Sequence, residues 1–420
     1  MIFGGKKRAM QAAHPPGRRG GVLAALKRTR TGRWCWRLLQ VWVVVALFAD
    51  FLANEKPLVC SLEGRVYFPV MRQYAVDLGW AHWESRFFQT PWREQPYDWV
   101  LFPPIPYSPK TLDTRHFDYV SPFDRQEVPH WRWRHWLGTY PPGFDVAAGM
   151  VCGARVALLV GVVALSLATF IGLVLGGVAG FFGDEGLRCS RGALLAHLLL
   201  LPPAIFYGVW GPAVWGGGGW TVLAVVLVYL SAARICSAAL SRWALLKRRL
   251  ALPMDLLVMR FIEVVNSIPG LLLLLALVAV MERSGLFQVM VVIGLIAWTG
   301  IARFVRAELL RIRKLEYIEA ARALGLKELR ILLRHALPNA LTPVFIAVAF
   351  GMAGAVLLEA TLSFLGIGVG DAYVTWGRLL SEARTYPKAW WLAIFPGGAV
   401  FLAVALFNVL GERLSGQAAE

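Results

Sequence analysis

Twenty-eight consecutive residues, Val156–Gly183, carry no charged side chain. A hydrocarbon core about 30 Å thick is crossed by about 20 apolar residues in a helix, so this run predicts a membrane span. The pattern recurs along the chain. Gly192–Ala233 is 42 residues with no formal charge, broken only by Trp215–Trp220, WGGGGW. That length predicts two helices joined by a tight glycine turn flanked by interfacial tryptophans. The second of them is expected to reach Leu240 and to carry Arg234, whose long stem lets the charge snorkel to the nearer face. Further spans are expected at Leu256–Met281, Gly285–Ala302, Ala336–Leu358 and Ala389–Gly411. A weaker one lies near Trp34–Ala53, with a charge-free centre at Leu38–Ala49. A cleaved signal peptide would be followed by an A-x-A site; none follows, which favours a retained anchor. The expected count is eight.

Composition agrees with a polytopic all-α membrane protein. Apolar residues make up 57% of the 420 and charged residues 16%, against about 25% charged in a soluble globular domain. Disordered, collagen-like and small disulfide-rich classes are excluded. The five cysteines are scattered and contain no CxxC pair, so neither a disulfide framework nor a zinc site is implied.

The net charge of +17 is distributed, not clustered on one nucleic-acid-like face. Residues 1–37 hold ten Lys or Arg and no acid, whereas residues 55–145 hold ten basic and eleven acidic residues. Basic loops beside spans mark the cytoplasmic side. With an even number of spans both termini are expected in the cytoplasm. Residues 55–145, the WGGGGW turn and 361–388 then lie outside, and 184–191, Arg242–Arg249 and 303–335 inside. The loop 303–335 holds nine basic and four acidic residues, as that orientation requires. No stacking groove or recognition motif accompanies the charge, so a nucleic-acid partner is not expected.

The external segment is rich in aromatics, among them Trp80, Trp83, Phe87, Phe88 and Trp92. Phe102–Pro109, FPPIPYSP, is too proline-dense for a helix and should be extended. A small cap with an aromatic core and a docking surface for an external partner are both compatible with this composition. His130 and His135 sit in an aromatic loop and read as structural, not as metal ligands.

The inner loop carries the most specific pattern. Glu319-Ala320-Ala321 is followed after three residues by Gly325, and after nine more by His335-Ala336-Leu337-Pro338-Asn339. This predicts a helix, a glycine break, and a second helix that Pro338 stops or kinks. Two adjacent alanines would admit close approach of a partner backbone. Glu319 offers a charge, and Arg322, Lys327, Arg330 and Arg334 would stay solvated or meet an acidic partner. A basic amphipathic helix resting on the inner leaflet is the alternative.

EAA-x3-G-x9-H-x-LPN resembles the coupling loop of permeases from binding-protein-dependent ABC importers of the oligopeptide/dipeptide branch. The likeness extends to Trp136-Leu137-Gly138-Thr139, Gly143-Phe144-Asp145-Val146 and Gly153-Ala154-Arg155-Val156. It includes Leu358-Glu359-Ala360-Thr361-Leu362-Ser363-Phe364-Leu365-Gly366 and Trp376-Gly377. Ala53-Asn54-Glu55-Lys56-Pro57-Leu58 and Tyr67-Phe68-Pro69 are similar to the opening of the external segment in microcin C-type peptide permeases. The resemblance covers roughly 34–188 and 254–412. It implies a type I (MetI-like) importer core and a permease subunit for oligopeptides or peptide-like compounds, in the bacterial inner membrane. The implied organisation is a basic tail 1–33, a first helix 34–54, an external segment 55–149 and a core helix 150–188. An inserted hairpin 189–253 follows, then the remaining core 254–412 with coupling loop 303–339, and a tail 413–420. The hairpin has no counterpart in the usual six-span subunit; it adds two crossings, leaves the loop inside, and is expected to face lipid. Tyr140-Pro141-Pro142 departs from the polar stretch usual in relatives.

No G-x-x-x-x-G-K-[ST] loop is present, so this chain is not expected to bind ATP in that way, and no HExxH is present either. The resemblance implies a separate ATPase with two nucleotide-binding domains using ATP and Mg, a second homologous permease and an extracytoplasmic solute-binding protein. The ATPase would dock on Glu319, Ala320, Ala321, Gly325, His335, Pro338 and Asn339. No cofactor, metal or catalytic residue is assigned to the chain itself. Polar groups within spans are costly in lipid and mark candidate path residues: Glu263, Asn266, Ser267 and Pro269 in the fifth span, Glu359 and Ser363 in the seventh. Glu263 has an alternative, pairing with Arg260. Two rival functions are a membrane enzyme, which would need ionisable residues clustered at one depth, and a sensor or assembly protein using 55–145 as a receptor. Neither accounts for the EAA loop.

Overall fold

The computed structural model describes residues 29–418 except 86, 88–89, 216–217, 281–284 and 371–372. Most of the basic tail, Phe88, two glycines of the WGGGGW turn and the Met281 end of a span therefore lie outside the described residues. In chain order the elements are α1 (Arg30–Leu47), β1 (Val59–Leu62), β2 (Arg65–Tyr67), α2 (Pro69–Asp77) and β3 (Trp99–Leu101). Then come β4 (Thr139–Tyr140), β5 (Phe144–Asp145), α3 (Val146–Gly177), β6 (Arg188–Ser190), α4 (Arg191–Trp215), α5 (Gly218–Leu240) and β7 (Arg249–Ala251). They are followed by α6 (Met254–Ser267), α7 (Gly270–Val280), α8 (Leu286–Ile312), α9 (Glu316–Ala323) and α10 (Glu328–Ile331). The last three are α11 (Leu337–Phe364), α12 (Trp376–Thr385) and α13 (Trp391–Ala418).

Among the described residues, six helices are long and apolar enough to cross a membrane, or seven if a bent pair counts as one span. Two of the eight expected spans fall outside this set of six. The first helix forms, but its 18 residues include Arg30, Arg33 and Arg37, so it is not among the six. The run Leu256–Met281 is not straight: α6 and α7 meet at an 81° bend. Pro269 lacks the N–H that would continue the ladder and pushes Ile268 into an extended conformation, φ −93°, ψ 128°.

The chain divides into two units. The first comprises 1–165, 277–293 and 345–420. Here residues 55–145 hold α2 and an antiparallel sheet of β1, β2 and β3 in the order β2-β1-β3. Cys60, Leu62 and Phe87 are buried on it beneath Trp83, Trp92 and Tyr97, so the expected aromatic core is present. Ile105 of the proline-rich stretch is extended and bridges Ala53 in parallel. The motif residues of the resemblance pack together in this unit. A side chain at Gly153 would strike Trp376, whose indole donates to Met150 O at 3.0 Å. At Gly377 it would meet Ala360 O. Trp42 of α1 donates to Ala154 O at 2.9 Å, and Arg155 bonds Ala46 O at 2.9 Å and Asp50 at 2.8 Å. The first helix is thereby fastened to α3.

The second unit comprises 166–276 and 294–344. Gly172, Gly176 and Gly180 line one side of the C-terminal half of α3 and its π turn Val178–Phe182. A Cβ at these positions would lie 2.8 Å from Ile301, 2.4 Å from Ala302 O and 2.7 Å from Arg306 O. Small residues at this spacing let two helix backbones approach closely, here α3 and α8. The inserted hairpin is the antiparallel pair α4 and α5, closed at its base by the ribbon β6–β7. His197 and Tyr229 bond across it at 2.7 Å. Its outward residues, such as Leu199, Phe206 and Val228, are exposed.

Candidate functional site

The loop 303–339 forms a compact elbow. In α9, Ile318 and Ala321 are buried and face inward, whereas Glu319 and Ala320 face out. Glu316 and Glu319 occupy the first turn, where the helix dipole favours acids. Only one of the two alanines is therefore open to a partner, because neighbouring helix positions diverge by about 100°.

The helix ends in a Schellman motif. Leu326 N–H bonds Ala321 O at 3.2 Å and Gly325 N–H bonds Arg322 O at 2.9 Å, with Gly325 at φ +75°. The glycine break is thus a left-handed cap, a backbone conformation that other residues adopt at a cost. The turn projects Leu324, 80% exposed, and Leu329 and Leu333 of the following turns are also exposed.

Arg322 is partly exposed but paired within the chain. Its guanidinium grips Glu328, Nε to Oε1 at 2.9 Å and Nη2 to Oε2 at 3.3 Å, donates to Arg313 O at 3.3 Å and lies over Phe181. Pro338 does not stop the helix. The turn before it, Leu332–Ala336, is π-helical, with Leu337 N–H bonded to Leu332 O, and α11 then runs on to Phe364. The wider turn accommodates a residue that has no N–H to donate. Asn339 donates to His335 O at 2.7 Å and to Tyr317 Oη at 3.1 Å, so the start of α11 is bracketed to α9. His335 is half-buried and Pro338 exposed. A cleft of about 440 Å³ lies behind the elbow, with Glu319, Arg322, Glu328, Phe181 and Arg313 on its walls.

The six path candidates fall into two local groups. Glu263 pairs with Arg260 at 2.8 Å on an exposed face, the alternative weighed from sequence. Asn266 accepts from Thr299 at 3.2 Å, Ser267 donates to Val264 O, and Pro269 sits at the α6–α7 bend. In the other unit Ser363 donates to Glu359 at 2.7 Å, both buried, and Thr375 also bonds that carboxyl.

One constellation escaped the sequence reading. His135 is buried between Asp145, at 2.7 Å from Nδ1, and Asp113, at 3.2 Å from Nε2; His116 Nδ1 lies 3.3 Å from the same Asp113 oxygen. His130, its expected companion, is exposed elsewhere and caps a short turn through Arg132 N. Burial alone would raise the Asp113 pKa, but the bonds from His135, Arg115 N–H and His116 outweigh it and hold the carboxyl well below the ordinary range. Burial would lower that of His135, but its two carboxylate partners outweigh it and raise the imidazole above its usual value.

Residues 244–417, which contain the whole elbow, match the family of binding-protein-dependent transport system inner membrane components. The chain has relatives along nearly its whole length. The peptidoglycan transport system permease protein YejE of Agrobacterium fabrum is 27% identical over 92% of this chain and 89% of its own. The inner membrane ABC transporter permease protein YejE of Escherichia coli is 25% identical over 93% and 94%. The dipeptide transport system permease protein DppC of Alkalihalophilus pseudofirmus is 28% identical over 72% and 77%. An inward facing structure of the MetNI methionine ABC transporter superposes with a TM-score of 0.38 at 20% identity, covering 63% of this chain and 94% of that one. The chain is mostly helical, with several helices long and apolar enough to cross a membrane, as the resemblance implied.

Proposed function

We propose that the chain is the transmembrane permease subunit of an ATP-driven importer for oligopeptides or peptide-like compounds of the microcin C type. The elbow carries this reading: a capped turn, braced from behind by Arg322–Glu328 and Asn339–Tyr317, that presents Glu319, Ala320 and Leu324 outward. A surface both braced and apolar at its tip suits the transmission of force from a docked partner. That partner is a separate ATPase with two nucleotide-binding domains, which uses ATP and Mg. Closure of its domains moves the elbow and opens a central path alternately outward and inward, between this subunit and a homologous permease. Asn266, Pro269 and the α6–α7 bend belong to that path, and an extracytoplasmic binding protein supplies most of the selectivity. Counting α1 and the bent pair as spans gives eight, which keeps both termini and the elbow cytoplasmic. The hairpin 189–253 lies against lipid.

The reading is tested by assembling the complex with Glu319→Lys or Gly325→Pro. Both variants should insert normally and lose substrate uptake and substrate-stimulated ATP hydrolysis. Uptake at the unsubstituted rate in either variant would refute docking at this elbow.

A further inference from the structure

The buried cluster of the external segment has the layout of a metal site. Asp113, His116 and His135 each direct one ligand atom inward, all within 4.8 Å of one another, and all three residues are buried. In a tetrahedral zinc site with bonds of about 2.0–2.1 Å, neighbouring ligand atoms are separated by about 3.3 Å. The Asp113 Oδ2 to His135 Nε2 and Asp113 Oδ2 to His116 Nδ1 separations are 3.2 and 3.3 Å. These are long for charge-assisted hydrogen bonds, which run to about 2.7–2.9 Å, and they match the edges of a coordination tetrahedron.

The outer shell is also present. His135 bonds Asp145 through Nδ1 at 2.7 Å, the carboxylate–histidine arrangement that fixes the tautomer and ring orientation of a ligating imidazole. Asp145 in turn accepts from Ala148 N–H at 2.6 Å and is anchored at the start of α3. Arg93 is the opposing charge, 3.8 Å from Asp113 and held over Tyr107 and Trp133. Two carboxylates against one guanidinium leave a net −1 for a divalent cation. The third edge, between the two imidazoles, closes when a cation draws them together. A cavity of about 810 Å³ reaches Asp113 and His116 and is lined also by Glu55, Glu94 and Glu127, with Arg93 and Arg115 beside them. It gives the ion an entry path in which acids outnumber bases and leaves room for water at a fourth position.

We infer that Asp113, His116 and His135 bind one divalent borderline metal ion, Zn2+ by ligand type, with Asp145 positioning His135. Two imidazoles and one carboxylate suit zinc better than calcium or magnesium, which take oxygen ligands. The ion joins the 113–116 turn and the 135 loop, through His135, to Asp145, the residue that precedes α3, and so stiffens the external segment where it meets the permease helices.

The test uses the full chain, purified in detergent, stripped with a chelator and titrated with Zn2+ against a chromophoric competitor. About one ion per chain is expected. His116→Gln should remove binding, Asp145→Asn should weaken it by about 10–100-fold, and His130→Gln should leave it unchanged. Should a glutamine variant fail to accumulate, His116→Cys retains a ligand and should bind Co2+ with a thiolate charge-transfer band that the unsubstituted chain lacks. No uptake by the unsubstituted chain, or equal affinity in His116→Gln, overturns the inference. So does a His116→Cys protein without that band.

Discussion

The guanidinium of Arg322 clasps the carboxylate of Glu328 across the glycine turn of the elbow, through two parallel contacts of 2.9 and 3.3 Å. The pair fixes the angle between α9 and the helix that follows. Both side chains are partly exposed, so the pair contributes only about 0–1 kcal/mol to stability. Its consequence is geometric. Arg322→Ala should shift thermal unfolding little and reduce substrate-stimulated ATP hydrolysis by the assembled importer several-fold. The exchange Arg322→Glu with Glu328→Arg should recover part of that loss. ATPase assays of the two single variants and the double variant check this, and failure of the exchange to rescue would separate the effect from the pair.

Gly325 gives a sharper test of the elbow's backbone. A Cβ there would meet nothing within 4 Å, so the only penalty of a side chain is its left-handed φ of +75°. Gly325→Ala should cost about 1–2 kcal/mol locally. Gly325→Asn should cost less, because asparagine visits that region more readily. Coupling efficiency should follow the order Gly, Asn, Ala, Pro in uptake measurements. An alanine variant that outperforms asparagine would argue that the cap is not what sets the geometry.

Much of this was legible in the sequence because charge is costly in lipid. The charge-free runs around Val156–Gly183 and Gly192–Ala233 became α3, α4 and α5 with little adjustment. The EAA loop was legible because glycine punctuates helices locally, as Gly325 does, although the helix runs on through Pro338. The bend at Pro269 was present in the sequence as Ile268-Pro269, but an unbroken apolar run on both sides masked it. The inward face of Ala321 followed from helical period and was overlooked because Ala320 and Ala321 were read as a pair. The histidine cluster was not legible. His135 meets partners 10 and 22 residues away that no local pattern links, and tertiary packing alone assembles them.

The close approach of α3 and α8 supplies a paired control within one helix. A methyl at Gly176 would sit 2.4 Å from the backbone oxygen of Ala302, whereas Gly177 has open space. Gly176→Ala should destabilise the permease by about 1–3 kcal/mol through overpacking. Gly177→Ala should be neutral, or gain up to about 1 kcal/mol from helix propensity. Thermal melts of the purified chain in detergent read the difference directly. Equal melting temperatures would contradict the packing.

Orientation can be read with thiol labels, because the chain carries its own internal standard. Cys60 lies in β1 with no exposed surface, and burial pushes its thiol pKa up to about 11. An exposed thiol, near about 8.5, holds roughly a hundredfold or more thiolate at neutral pH. In a chain whose other four cysteines are replaced, a membrane-impermeant maleimide added to spheroplasts should leave Cys60 unmodified. The same reagent should label Phe123→Cys, whose native side chain is 82% exposed in segment 55–145, proposed to lie outside. Leu324→Cys, at the tip of the elbow, should react only after the membrane is opened. Labelling of Leu324→Cys in intact spheroplasts would place the elbow outside and end its role as a docking point for an internal ATPase.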